Sequence, residues 1–157
     1  MDLRVLQDSY NRKAREVTEE RIKPGSLILT TLSTDDGLTL NDRKSKPKRL
    51  IIIGSDKQRE VCYGSILVNT DMNPKASYSE EYLSVQYLLK AENYPDFLKY
   101  DSYVDCGTLF SIPTSKIYSG EFFGYLTEND TKGVFNILET TELFSTKEKK
   151  RYGIKRR

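Results

Sequence analysis

The run Leu50-Ile51-Ile52-Ile53 restricts the fold of this chain more than any other stretch. Four aliphatic residues, three of them β-branched, are closed by Gly54-Ser55-Asp56. Such a run is too short for an independent helix, and β-branched side chains suit a pleated surface. It therefore predicts a strand buried on both faces or closing a small barrel. Pro47 fits the mouth of that strand, because it cannot donate to a ladder. The approach to the strand is basic: Arg43, Lys44, Lys46, Lys48 and Arg49. The expectation is a flexible cationic loop held at the entrance of a rigid strand and facing a groove, an arrangement suited to phosphate. The plainer alternative is a solvated, Lys-rich surface loop.

Taken in order, residues 2–22 place Leu3, Leu6, Tyr10, Ala14 and Val17 at spacings of three or four, which predicts an amphipathic helix stopped by Lys23-Pro24-Gly25. Ser26 to Leu32 reads as a strand followed by an Asp35-Asp36-Gly37 turn. Val61 to Asn69 reads as a further strand, with Gly64 marking a bulge or bend. Val85 to Leu89 is apolar but too short for periodicity to choose between strand and helix. Ser102 to Ile112, Ile117-Tyr118 and Phe122 to Leu126 continue the β pattern. Asp130 then reads as the N-cap of a helix carrying Val134, Ile137 and Leu138 on one face. Many short strands bracketed by helices predict a mainly β, α+β domain: a small SH3-like antiparallel barrel with an N-terminal and a C-terminal helix. One domain is expected over 1–157: helix 1–23, barrel 24–127, helix 128–146 and basic tail 147–157.

The chain has no histidine, which removes the commonest general base and the commonest metal ligand. Cys62 and Cys106 lack the close spacing of a zinc site and read as reduced, buried thiols, so no metal or cofactor is expected. Any chemistry must run on Lys, Arg, Thr, Tyr, Asp or Glu. No stretch reaches the roughly 18 apolar residues of a membrane span, and Met1-Asp2-Leu3-Arg4 offers no apolar signal region. The expectation is a cytoplasmic protein without a membrane partner. Overall charge is only +2, yet the basic stretch 43–49 and the basic tail together carry far more than that, leaving the remainder acidic. A cationic patch on an acidic body suits a polyanion.

Several of these segments, in their order, resemble the PemK/MazF-type toxins of bacterial toxin–antitoxin systems. The resembling stretches are Pro24-Gly25-Ser26-Leu27-Ile28, Lys48-Arg49 leading into Leu50-Ile51-Ile52-Ile53, and Ile66-Leu67-Val68-Asn69-Thr70. The stretch from Asp101 through Ser111-Ile112-Pro113-Thr114-Ser115-Lys116-Ile117 is similar as well, so the resemblance covers about Pro24 to Leu143. It implies a metal-independent endoribonuclease on an SH3-like barrel, homodimeric, acting on single-stranded RNA and neutralised by an antitoxin. It also implies a catalytic pair, an Arg before the second strand and a Thr closing the third, at Arg49 (or Lys48) and Thr70. The basic residues Arg43, Lys44, Lys46, Lys48 and Arg49 would bind the nucleic acid.

The chain also departs from that pattern. Pro47 precedes the basic pair, Gly107-Thr108-Leu109-Phe110 stands where the family commonly carries an acid, a Gln and an Arg, and the N-terminal helix is extra. Two other readings therefore stand beside the nuclease. One is a non-catalytic barrel that binds nucleic acid or protein; the other is a structural protein of a phage or mobile element.

Overall fold

The aliphatic run lies in the middle of the longest strand. The computed structural model describes residues 2–36, 45–69 and 79–154. Within them are strands β1 (Ser26–Ser33), β2 (Ser45–Asp56), β3 (Val61–Asn69), β4 (Gln86–Leu89), β5 (Ser102–Asp105), β6 (Phe110–Pro113) and β7 (Glu121–Tyr125). Helices α1 (Leu3–Arg15), α2 (Glu80–Ser84), α3 (Thr114–Tyr118), α4 (Glu128–Thr140) and α5 (Thr146–Tyr152) flank them. The protein is mainly β with flanking helices, an α+β fold. Every strand pairing is antiparallel. The order is β4-β5-β3-β2-β1-β7, with β6 beside β3 and off that path.

Among the described residues this path is open: no ladder joins β4 to β7, so the barrel does not close through its strands. The reason lies in β3. Its first half, Val61 to Gly64, pairs with β6, and its last three residues pair with β5. Its pairing with β2 goes no further along β2 than Leu50↔Ile66. The sheet splits at that point.

Both faces of β1 and β2 are covered. Ile28, Leu32, Leu50 and Ile52 face one core with Val17, Cys62, Ile112, Ile117 and Phe122. Leu27, Ile51 and Ile53 face the other, with Leu89, Phe97, Val104, Val134, Leu138 and Ile154. The strand buried on both faces was legible in the composition. Each such side chain stabilises by about 1.5–3 kcal/mol on burial. The anticipated irregularity sits on β2: register shifts between Ile52↔Gly64 and Gly54↔Tyr63, so Ile53 is the extra residue. Gly54 has a reason of its own, since a Cβ there would collide with the Tyr152 carbonyl of α5.

Four expectations change. The N-terminal helix ends at Arg15 rather than near residue 22, because Val17 turns into the core while a 3-10 turn follows at Glu19–Arg21. Arg21 Nη1 donates to the carbonyls of Lys13, Ala14 and Glu16, supplying the acceptors of that helix end with a partner. Its guanidinium also lies 4.7 Å above the Phe122 ring. In the single chain Leu3, Leu6 and Tyr10 of this helix are exposed.

Next, Ile117-Tyr118 is helical, not extended: in α3 Ile117 reaches the core while the Lys116 carbonyl accepts the Thr30 hydroxyl at 2.7 Å. The cap of α4 is Thr127, whose side chain accepts from Asp130 N. Asp130 instead accepts from the hydroxyls of Tyr87 (2.8 Å) and Tyr94 (2.5 Å), tying α4 to β4 and the turn after it. Finally, the basic tail is helical to Tyr152, begun by a reciprocal Ser145/Glu148 capping box.

Candidate functional site

Strand β2 runs on beyond the point where β3 leaves it. Its first five residues pair only with β1, in the register Leu29↔Arg49, Thr30↔Lys48, Thr31↔Pro47, Leu32↔Lys46 and Ser33↔Ser45. The cationic stretch thus belongs in part to the sheet. Lys46, Lys48 and Arg49 sit in a ladder, where sequence reading expects a loop. Arg43, Lys44 and Thr70 lie outside the described residues, so the anticipated Arg49–Thr70 pair has no described geometry.

Side chains alternate across a strand, which divides the cations between two faces. Lys46 and Lys48 share the face of Leu50 and Ile52, whereas Arg49 shares the face of Ile51 and Ile53. Lys48 is half-buried, and that burial, followed by the charge of Lys46, holds its ammonium below the ordinary lysine range. On the same face, Lys116 is neutralised by the buried Asp36 at 2.5 Å. Burial alone would raise the Asp36 pKa, but the Lys116 hydrogen bond, the Ser33 backbone N–H and the Lys116 charge outweigh it, and the carboxyl titrates below its usual range. Lys46 and Lys48 make no ion pair among the described residues.

On the opposite face, Arg49 Nε donates to the Phe97 carbonyl at 2.6 Å. The buried Phe97 ring packs against Phe123 at 5.4 Å, and the Arg15 guanidinium lies 4.1 Å over the latter. The terminal nitrogens of Arg49 have no hydrogen-bond partner or ion pair among the described residues. One edge of the guanidinium is fixed, while the opposite edge of this exposed residue has no partner among the described residues. That edge is the one that grips a phosphate with two parallel hydrogen bonds. The nearest carboxylate in register is Glu121, because Leu29 pairs with Arg49 on one side and with Glu121 on the other. Two strand spacings, roughly 10 Å, separate them.

Sequence reasoning found Arg49, Lys46 and Lys48 but missed their division between faces. Period-two alternation carried back from Leu50 through Lys46 would have revealed it. Phe97, Phe123, Arg15 and Glu121 carried no sequence signal toward Arg49, since only strand order and chain return bring them near. Among the described residues, no group of three or more His, Cys, Asp or Glu is arranged to hold a metal ion, and no helix is long and apolar enough to cross a membrane.

No family model and no curated protein matches this chain. Among solved structures, the chain is similar to the Mycobacterium tuberculosis toxin MazF-mt6, with a TM-score of 0.48 and 17% identity over 74% of this chain and 92% of that one.

Proposed function

We propose that the protein is a toxin-type endoribonuclease that grips single-stranded RNA at the free end of β2. The observation that carries this reading is the Arg49 guanidinium, anchored through Nε to the Phe97 carbonyl with its other edge open. The sequence resemblance supports it independently, because it assigns the catalytic Arg to this position. In the proposed reaction the ribose 2′-oxygen attacks the adjacent phosphorus and gives up its proton. The bond from phosphorus to the 5′-oxygen breaks, and that oxygen takes a proton. A cyclic 2′,3′-phosphate and a 5′-hydroxyl result. Arg49 stabilises the charge developing on the phosphorane oxygens, the step at which a preorganised cation matters most. Thr70 is the proposed donor or orienting hydroxyl.

Arg43, Lys44, Lys46 and Lys48 hold the flanking phosphates. Lys46 and Lys48 project from the opposite face of the strand, so the backbone of a bound strand wraps over the end of β2. An antitoxin segment, a homodimeric state and a cytoplasmic site belong to the same proposal.

A second reading, RNA binding without cleavage, is favoured by the distance of Glu121, since among the described residues no carboxylate in register lies within hydrogen-bond reach of Arg49. Incubation of the purified protein with a long single-stranded RNA in chelator separates the two. Fragments ending in cyclic phosphate support the nuclease. Salt-sensitive binding with intact RNA leaves only the binding reading. Neither cleavage nor binding removes both.

A further inference from the structure

A second guanidinium on the Arg49 face is held in place without an acceptor. Arg15, the last residue of α1, is half-buried, and its guanidinium lies 4.1 Å over the Phe123 ring. Its backbone is fixed on both sides. Arg21 Nη1 donates to the carbonyls of Lys13, Ala14 and Glu16, and Val17, two residues on, is buried in the core. Stacking engages the flat face of a guanidinium and leaves its five N–H donors at the edges. Those of Arg15 have no hydrogen-bond or ion-pair partner among the described residues.

Phe123 packs on Phe97 at 5.4 Å, and the Phe97 carbonyl accepts from Arg49 Nε. The two arginines therefore stand at opposite ends of one aromatic pair, on the face of the sheet that carries Ile51 and Ile53. Arg49 belongs to β2 and Arg15 comes from beside β7, with β1 between them. A cleft of about 620 Å³ lies between α1 and the start of β7, where Arg12, Lys13 and Arg15 face Glu16 and Glu121. Glu121 is also in register with Arg49 across Leu29, so the cleft and Arg49 border one row of residues.

We infer that Arg15 binds a second backbone phosphate of the RNA strand gripped at Arg49, leading that strand over the Phe97–Phe123 pair into the α1 cleft. This contact presupposes the RNA-binding reading above and extends it to a helix outside the segments that resemble the toxins. One phosphate does not serve both arginines. Its oxygens accept at about 2.7–2.9 Å, whereas β2 and β7 are two strand spacings, roughly 10 Å, apart. Two fixed guanidinium forks separated by an apolar strip match the alternation of phosphate and base along a single strand. Arg12 and Lys13 continue the cationic wall beyond Arg15.

The test is affinity against length, using the full chain and 2′-O-methyl oligonucleotides of two to eight nucleotides, which lack the attacking hydroxyl and stay intact. Wild type is expected to gain affinity in steps as successive phosphates reach cations. Arg15→Gln is expected to lose one step of about ten-fold, the size of a charge-assisted contact, while binding the dinucleotide like wild type. Its slope of log affinity against log salt on the longest oligonucleotide should fall by about 0.7. Side-chain nitrogen-15 spectra of wild type need no variant: the Arg15 Nε–H resonance is expected to shift with the longest oligonucleotide and stay in place with the dinucleotide. If Arg15 only fastens α1 to Phe123, Arg15→Gln melts lower yet binds every length like wild type. That result overturns the proposal, as does an Arg15 resonance unmoved by any length. Either outcome leaves the Arg49 reading standing, whereas a wild type that binds no length removes both.

Discussion

The Nε of Arg49 donates a 2.6 Å hydrogen bond to the main-chain carbonyl of Phe97, 48 residues further along the chain. This bond joins the end of β2, which has lost β3 as a neighbour, to the turn that follows β4. It also fixes the plane of a guanidinium whose other nitrogens have no partner among the described residues. Replacing Arg49 by Ala is expected to lower RNA cleavage by about 10²–10³-fold, the range for losing one preorganised charge donor. Arg49→Lys keeps the charge but loses the fork, and is expected to recover less than a tenth of wild-type activity. Single-turnover rates check both, and a lysine variant as active as wild type would refute the fixed-plane argument.

Lys46 and Lys48 are expected to contribute phosphate contacts without touching the reacting bond. Their double replacement by Ala should weaken single-strand binding and reduce the slope of log affinity against log salt by about 1.4, two contacts at roughly 0.7 each. Fluorescence anisotropy from 50 to 300 mM salt measures it. An unchanged slope would place both lysines outside the interface.

Asp36 links stability to acid. Its folded pKa lies below the carboxylate reference, so its contribution is fully present above about pH 4 and is lost as pH falls through the depressed value. Asp36→Asn should destabilise the protein at neutral pH and flatten the loss of melting temperature between about pH 4 and 2. Parallel acid limbs in both proteins would contradict this assignment.

Both thiols are free and buried. Burial, then the Asp105 charge, pushes the Cys106 pKa up to about 12, and burial raises Cys62 despite the opposing Thr114 hydrogen bond. Neither should react with a disulfide reagent at pH 8 until the protein opens. Labelling should therefore follow the unfolding rate in rising denaturant. Fast labelling in the native state would mean that one thiol is accessible.

The N-terminal segment divides at Val17. Deleting residues 2–8 removes exposed side chains and should leave the melting temperature within about 2 °C, since surface changes are usually small. Val17→Ala removes a residue from the core and should cost about 2 kcal/mol. Chemical denaturation of the two variants tests the order. A larger loss from the deletion would show that the Leu3–Tyr10 stripe is buried in solution.

The strands with the strongest local signal were determined by the sequence alone. Leu50 to Ile53 had to be extended and buried, and Val61 to Asn69 begins and ends where its turn residues place it. The absence of histidine and the isolation of the two cysteines likewise narrowed the chemistry before any fold was known. Local composition did not decide the rest, because each remaining feature depends on a partner distant in the chain. Lys46 to Arg49 lie in a strand because β1 offers Leu29 to Leu32 as a ladder, and their charge gives no hint of it. The N-terminal helix stops at Arg15 because Val17 has a core to enter and Arg21 satisfies the open carbonyls. Asp130 looks like a cap by its neighbours, yet it serves two tyrosines 43 and 36 residues away. Arg49 could be named from its position, but the carbonyl that aims it belongs to Phe97. Backbone propensity acts over a few residues, whereas the hydrogen bonds and buried contacts that fix these elements form only when the whole sheet brings distant segments together.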